Sequence, residues 1–455
     1  MSERLSRRSL LKRGAAIAGA AAVTPVAARA KPVADVDVIV IGAGIAGLAA
    51  ARRLADLDYD VVVLEASDRI GGRLRTDWSM GVPFEVGAGW IHGPKGNPIS
   101  KLAKAVNART FVTDDDSFRV YTHDGKQVPD AEIFSKYKEQ LGIYKRIDDA
   151  FSGDQTLERA LKKIAPASLQ DPVLRWMHSA YTEFDTGGPI EALSAYYFDE
   201  DDAYDGEDVV VTTGYDSILG PLAAGLDIRL NAPVASVEYE RGDGALVRAG
   251  GKEYESSFVV CTLPLGVLQG GDVTFDPALP SRTRKHIKRQ AMGNVSKIAF
   301  KFDEAFWPTD IQYFGLMTKA KGRWNYWLNY RTFSDENVLL GVSVGKYAGQ
   351  IEAKGEAAMK ADALKALSEM FNRSIPAPRQ TLVTRWSQNL YSRGAYTYAP
   401  VGIQPENFDD LSRPIDDVIV LAGEHTTFDF HATTHGAYLS GLRAAEIIDD
   451  QLAED

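Results

Sequence analysis

The sequence predicts an α/β protein of two domains, one of them built on a parallel sheet. Three observations carry that prediction. The β-branched run Val38-Ile39-Val40-Ile41 opens directly into Gly42-Ala43-Gly44-Ile45-Ala46-Gly47. A second run, Val61-Val62-Val63-Leu64, ends on an acid, Glu65. The chain has 455 residues, more than one simple core takes.

Each element of the first unit has a physical job. Gly42 makes a tight turn, Gly44 lets backbone approach a pyrophosphate, and Gly47 lets helix pack on strand, with Ala43 and Ala46 between them. Leu48 to Leu54 continues at helical spacing, so a helix N-terminus holds the phosphate charge. Glu65 stands 23 residues after the first glycine, where an acid accepts hydrogen bonds from adenosine ribose hydroxyls. Strand, turn, helix, strand and terminal acid together specify a Rossmann-like dinucleotide site. In Asp68-Arg69-Ile70-Gly71-Gly72-Arg73 two glycines permit a second close backbone approach, and Arg73 can neutralise the same diphosphate. That extension separates FAD from NAD.

Apolar content of 45% and charged content of 25% fit a soluble globular body. After residue 30 no apolar run approaches the ~20 residues of a membrane span, so no membrane anchor is expected in the mature form. The first thirty residues differ in kind. Arg7-Arg8, the apolar run Ala15 to Val23 and Ala28-Arg29-Ala30 form a twin-arginine export signal with its cleavage site. The mature chain is therefore expected to be periplasmic or secreted, with the twin-arginine export machinery as a partner. Residues 1–30 carry six basic residues against Glu3, so their removal takes the net charge from −11 to −16. So acidic a body argues against nucleic acid and anionic lipid and favours cationic small molecules. The lone Cys261 excludes an intramolecular disulfide and a cysteine-based zinc site, and its run Phe258-Val259-Val260-Cys261 reads as a buried strand.

The segments Glu65 to Arg73, Phe84-Glu85-Val86-Gly87-Ala88-Gly89-Trp90-Ile91-His92-Gly93, Thr262 to Leu268, Leu421-Ala422-Gly423-Glu424-His425 and His435 to Ala445 resemble, in order, the motifs of the flavin-containing amine oxidases. That family includes monoamine oxidases, polyamine oxidases, histone demethylases and amino-acid oxidases, and the likeness is nearest to polyamine oxidases. The resemblance implies two interleaved domains. A Rossmann-like FAD domain would be assembled from 31–105, 205–275 and 395–455, and a substrate domain of mixed sheet plus helices from 106–204 and 276–394. The residues agree in part: 131–182 is helix-like, and 295–345 holds strand-like runs such as Ile298 to Phe302.

The resemblance also assigns residues. To the phosphate turns it adds Ala66, Gly89, Trp90, Val234, Trp386, Glu424, Thr433 and Thr434 as cofactor contacts. The C-terminal helix from Thr433 to Ile448 would point its N-terminus at the flavin ring. Ala395 stands where monoamine oxidases carry the cysteine that attaches flavin, so FAD is expected to be held non-covalently. Tyr396 matches the first of two aromatic walls around the amine; the second falls on Thr433, as polyamine oxidases and histone demethylases also vary there. By residue type alone Tyr396 reads better as core packing. Lys297 matches the lysine that holds a water against flavin N5, whereas alternation with Ile298, Phe300 and Phe302 puts it on an outer face. His92 matches a loop histidine of polyamine oxidases that can bond a substrate amine. The acidic run Asp199 to Asp208 is a solvated loop or a device that draws a polycation to the entrance. His431 and His435 are four apart without a third matching ligand, so no metal is expected.

The implied reaction removes a hydride equivalent from the carbon beside a neutral amine, gives an imine that water hydrolyses, and ends with oxygen reduced to hydrogen peroxide. Three rivals stand beside it. One passes electrons to a periplasmic carrier; one is an amino-acid oxidase using Arg323, Arg331 or Arg385; one binds flavin without turnover.

Overall fold

The computed structural model describes residues 34–151 and 153–453; the export signal read in residues 1–30 lies outside them. Its first sheet runs Thr274–Asp276, Val234–Glu240, Gly244–Ala249, Lys252–Cys261, Ala34–Ile41, Val61–Leu64, Asp227–Arg229, with Ile419–Leu421 also pairing to Lys252–Cys261. The strands around Ala34–Ile41 are parallel, and the neighbouring hairpin is antiparallel. The fold is the α/β arrangement that the strand–glycine–helix pattern predicts.

Both faces of this sheet are covered, which is why its central strands are apolar at every position. Val38 and Val40 face a core with Leu48, Ala445 and Ile448; Ile39 and Ile41 face another with Val62, Val259 and Leu421. On the first face the helix Ile45–Asp56 lies against the C-terminal helix Thr434–Ala453. A Cβ on Gly441 would come within 2.1 Å of the Ala46 carbonyl, so the two helices touch backbone to backbone. Cys261 is buried in the parallel strand, and burial pushes its thiol up to about 12.

The second sheet runs Gln380–Val383, Val295–Lys301, Val338–Val344, Tyr326–Asn329, Tyr313–Met317, Phe118–Thr122. Helix Glu356–Phe371 covers the face that carries Ile298 and Phe300. Val295 and Ala299 occupy the opposite face, packed with Phe84, Trp386 and Ala395. Helices Asp130–Ala150, Leu157–Ile164 and Pro172–Met177 form a third layer around Ile143, Leu161 and Trp176. Among the described residues no helix is long and apolar enough to cross a membrane.

Candidate active site

The two glycine turns meet. Gly71 N–H donates to the Ala43 carbonyl at 2.8 Å, and Gly44 pairs with Gly71 as an isolated bridge. Gly42 sits at φ +99°, and a Cβ on Gly47 would strike the Gly42 carbonyl at 1.9 Å, so neither position admits a side chain. In front of Gly44 the space is open: an added Cβ would meet nothing within 4 Å. No side chain caps the helix that follows and no acid stands in its first turn, so its leading amides are left for an anion. Glu65, buried, braces the turns by accepting from Ala43 N–H at 2.8 Å and from Ser67 N–H at 2.8 Å. Its Oε1 also accepts from the Ser67 hydroxyl at 2.7 Å, while Oε2 keeps a lone pair for a hydroxyl donor. Open space at the middle glycine, free amides and a buried acid are what a dinucleotide diphosphate and its ribose require.

Arg73 follows the second turn and reaches Glu424 at 2.8 Å and the Ala395 carbonyl at 2.9 Å. Burial works to raise the Glu424 carboxyl, but Arg73, His425 and the Thr397 hydroxyl hold it down at about 2. Glu424 also accepts from Ala432 N–H at 3.0 Å, which ties the start of the C-terminal helix to the cradle. Thr433 caps that helix: its Oγ1 accepts from Gly436 N–H at 2.9 Å. Thr434 opens it. Trp386 is buried with Nε1 donating to the Val86 carbonyl at 2.9 Å, while Ala66 and Val234 lie half-buried on the Glu65 side, where Ala232 N–H bonds the Glu65 carbonyl.

Lys297 is buried at 6% exposure, not on an outer face as its alternation suggests. Both faces of its strand are covered, so a period of two says nothing about inside and outside there. Its Nζ donates to the Glu85 carbonyl at 3.1 Å and the Gly87 carbonyl at 2.5 Å, and lies 5.5 Å from the Trp90 ring centroid. A Cβ on Gly89 would sit 3.3 Å from Nζ, so the glycine keeps the ammonium accessible. Beside it a cavity of about 20 Å³, room for one water, is lined by Glu85, Gly89, Trp90 and Tyr330. Burial pushes Lys297 down to about 8, against the pull of Glu85. Burial also pushes Glu85 up to about 7, against the Tyr215 N–H, the Thr76 hydroxyl and Lys297.

The His92 side chain is 59% exposed, beside the acidic group of Asp185 and Asp208. Its Nδ1 lies 2.5 Å from Asp208, and the Asp208 carboxylate also accepts from Gly93 N–H at 3.0 Å. Burial would lower the imidazole, but Asp208 outweighs it and holds the pKa above the usual histidine range. Tyr396 is half-buried, its hydroxyl on the Phe184 carbonyl and its ring against Gly187, where a Cβ would come within 2.5 Å. Where Thr433 replaces an aromatic, other rings stand close by: Tyr204 and Phe430 stack at 5.3 Å and both meet His435 edge-on. His431 and His435 bond elsewhere, to the Phe428 carbonyl and toward Asn97.

Four groups escape a reading of the sequence. Glu85 had a signal, an acid at the end of a buried two-residue strand just before Gly87. Asp208 was one member of an acidic run, and only the fold brings it to His92. Asp185 and the Tyr204–Phe430 stack had none, because a π-helical turn, His178–Glu183, and a long loop place them.

The sequence pattern that defines the flavin-containing amine oxidoreductases matches residues 45–449. The chain belongs to that family. Among relatives of this oxidoreductase is the probable polyamine oxidase 4 of Arabidopsis thaliana, 31% identical over 434 residues that span 90% of this chain and 86% of the relative. Lysine-specific histone demethylase 1 homolog 3 of Oryza sativa subsp. japonica is 32% identical over 90% of this chain but only 53% of its own length. Wild-type putrescine oxidase bound to putrescine superposes with a TM-score of 0.74 over 92% of this chain and 99% of that one; at 22% identity the likeness is one of fold. The oxidoreductase is thus a flavin enzyme that acts on amines.

Proposed function

We propose that the chain oxidises a di- or polyamine with non-covalently held FAD and oxygen as acceptor, outside the cytoplasmic membrane. The observation that carries the substrate is the acidic cluster beside Tyr396, where Asp185, Asp201 and Asp208 face His92, which suits a polycation. The polyamine oxidases among the relatives support the same reading. The amino-acid oxidase rival needs a free arginine. Arg323 is taken by Asp362 and Glu369 at 2.9 and 2.7 Å, Arg385 bonds the Glu352 carbonyl, and Arg331 bonds the Asp335 carbonyl.

Bound FAD supplies the acceptor for a hydride equivalent leaving the carbon beside a neutral amine nitrogen. The chain's residues prepare that amine. His92, oriented through Nδ1 by Asp208, leaves Nε2 to take a proton from an ammonium. Tyr396 offers its ring as one wall of the amine site, and its hydroxyl bond to Phe184 fixes that ring. Lys297 is held by two carbonyls and keeps a third N–H for a water. Ala395, buried beside Arg73, offers no nucleophile for a covalent link, which supports non-covalent FAD.

Peroxide release in air tests the reaction: putrescine or spermidine should give one peroxide per amine oxidised, faster than benzylamine. Oxidised amine without peroxide would favour a carrier as acceptor. Acid precipitation should free all the yellow colour, and colour in the pellet would overturn non-covalent binding. For export, an Arg7→Lys, Arg8→Lys double change should strand precursor in the cytoplasm.

A further inference from the structure

We propose that Asp185 receives the second, non-reacting ammonium of the substrate and so selects diamines over monoamines; this rests on the polyamine reading above. The π-helical turn His178–Glu183 runs into the short helix Phe184–Thr186, which Gly187 ends at φ +74°. Both ends of this short turn are tied to the aromatic wall: the Phe184 carbonyl takes the Tyr396 hydroxyl, and Gly187 lies against the Tyr396 ring. Asp185 is therefore fixed beside that wall. It is exposed, and it faces both His92 and Tyr396.

Its charge is not neutralised. Among the described residues none forms an ion pair with Asp185 or donates it a hydrogen bond. The nearest basic group that faces it, His92, is already committed to Asp208, and Asp201 and Asp208 add like charge. Glu183, two residues earlier on the same turn, shows the contrast: it is buried and paired, with Lys321 at 2.7 Å and Ile190 N–H at 2.9 Å. With like charges facing it and no cation of its own, this carboxylate is a receptor for a ligand cation, which relieves the repulsion. Burial and the two aspartates hold the Asp185 pKa above its ordinary range, consistent with a site that lacks its cation. That cation is not the reacting nitrogen. A carboxylate paired with the reacting nitrogen would keep it protonated and without a lone pair, so Asp185 suits the ammonium at the far end.

The test compares putrescine with butylamine, which has the same carbon chain and one amine fewer, on the flavin-loaded enzyme. Asp185→Asn removes the charge and keeps the shape; the putrescine-to-butylamine ratio of kcat/KM should fall by about 30-fold, as expected for the loss of a close charge pair. Asp185→Glu, which keeps the charge, should hold most of the ratio. A wild-type preference for putrescine that survives Asp185→Asn would overturn the assignment alone. Equal loss in both variants would also overturn it, since charge would not be the cause. No wild-type preference for putrescine would remove the substrate reading and this inference together.

Discussion

Two buried cation–carboxylate pairs flank the site, and they are built differently. Arg73 and Glu424 touch at 2.8 Å, and Thr397 and Ala432 satisfy the carboxylate further. Contact keeps the carboxylate charged, with the acid near 2. Lys297 and Glu85 do not touch through their charges. The ammonium is spent on two backbone carbonyls, and the carboxylate accepts from Thr76 Oγ1 at 2.9 Å and Tyr215 N–H at 2.9 Å. Burial then moves both toward neutrality, the acid to about 7 and the lysine to about 8. A pair in contact is a fixed clamp; in a pair held apart each group is moved toward physiological pH.

Removing the clamp should have the largest effect. Glu424→Ala leaves the Arg73 guanidinium without its acid and should cost about 3–5 kcal/mol, the range for breaking a buried pair. Denaturant unfolding and flavin content measure it, and wild-type values in both would dissolve the distinction. The clamp also has an acid limit. A depressed carboxylate contributes stability above its unfolded pKa, here 4.5, and loses it as pH falls toward about 2. Glu424→Gln should lack that acid-dependent limb.

Changes to the separated pair should act on rate. Lys297→Met keeps length and removes charge and donors, so flavin content should hold while flavin reduction or its reoxidation slows by at least ~10-fold, about 1.4 kcal/mol in the barrier. Stopped-flow rates of both half-reactions decide; wild-type values would return Lys297 to a packing role. Glu85→Gln removes the acid that holds the lysine's pKa up, so the pH limb assigned to Lys297 near 8 should move lower. A pH profile that does not move would uncouple the two. The smallest effect should come from the cap. Thr433→Ala removes the acceptor for Gly436 N–H and should lower stability by about 1 kcal/mol, read as a shift in denaturation midpoint.

The same division governs what the sequence discloses. The phosphate cradle is legible because contiguous backbone does its work: Gly42, Gly44 and Gly47 lie within six residues, and Glu65 ends the next strand. The amine-facing side draws single residues from distant pieces. Lys297 reaches Glu85 across 212 positions, and His92 reaches Asp208 across 116. No local period encodes such meetings. Alternation misplaces Lys297 because Phe84 and Trp386 cover the face it shares with Val295 and Ala299. Thr433 reads in the sequence as a missing aromatic wall and a cofactor contact at the start of a helix, and the fold adds that its hydroxyl caps that helix.

The measurement closest to the central claim is anaerobic mixing of the flavin-loaded enzyme with amines while the flavin absorbance is followed. Putrescine or spermidine should bleach the flavin completely and faster than benzylamine, with the rate falling as salt screens the acidic cluster. A flavin that stays oxidised with polyamines, or bleaches faster with benzylamine or a neutral amino acid, would contradict the account.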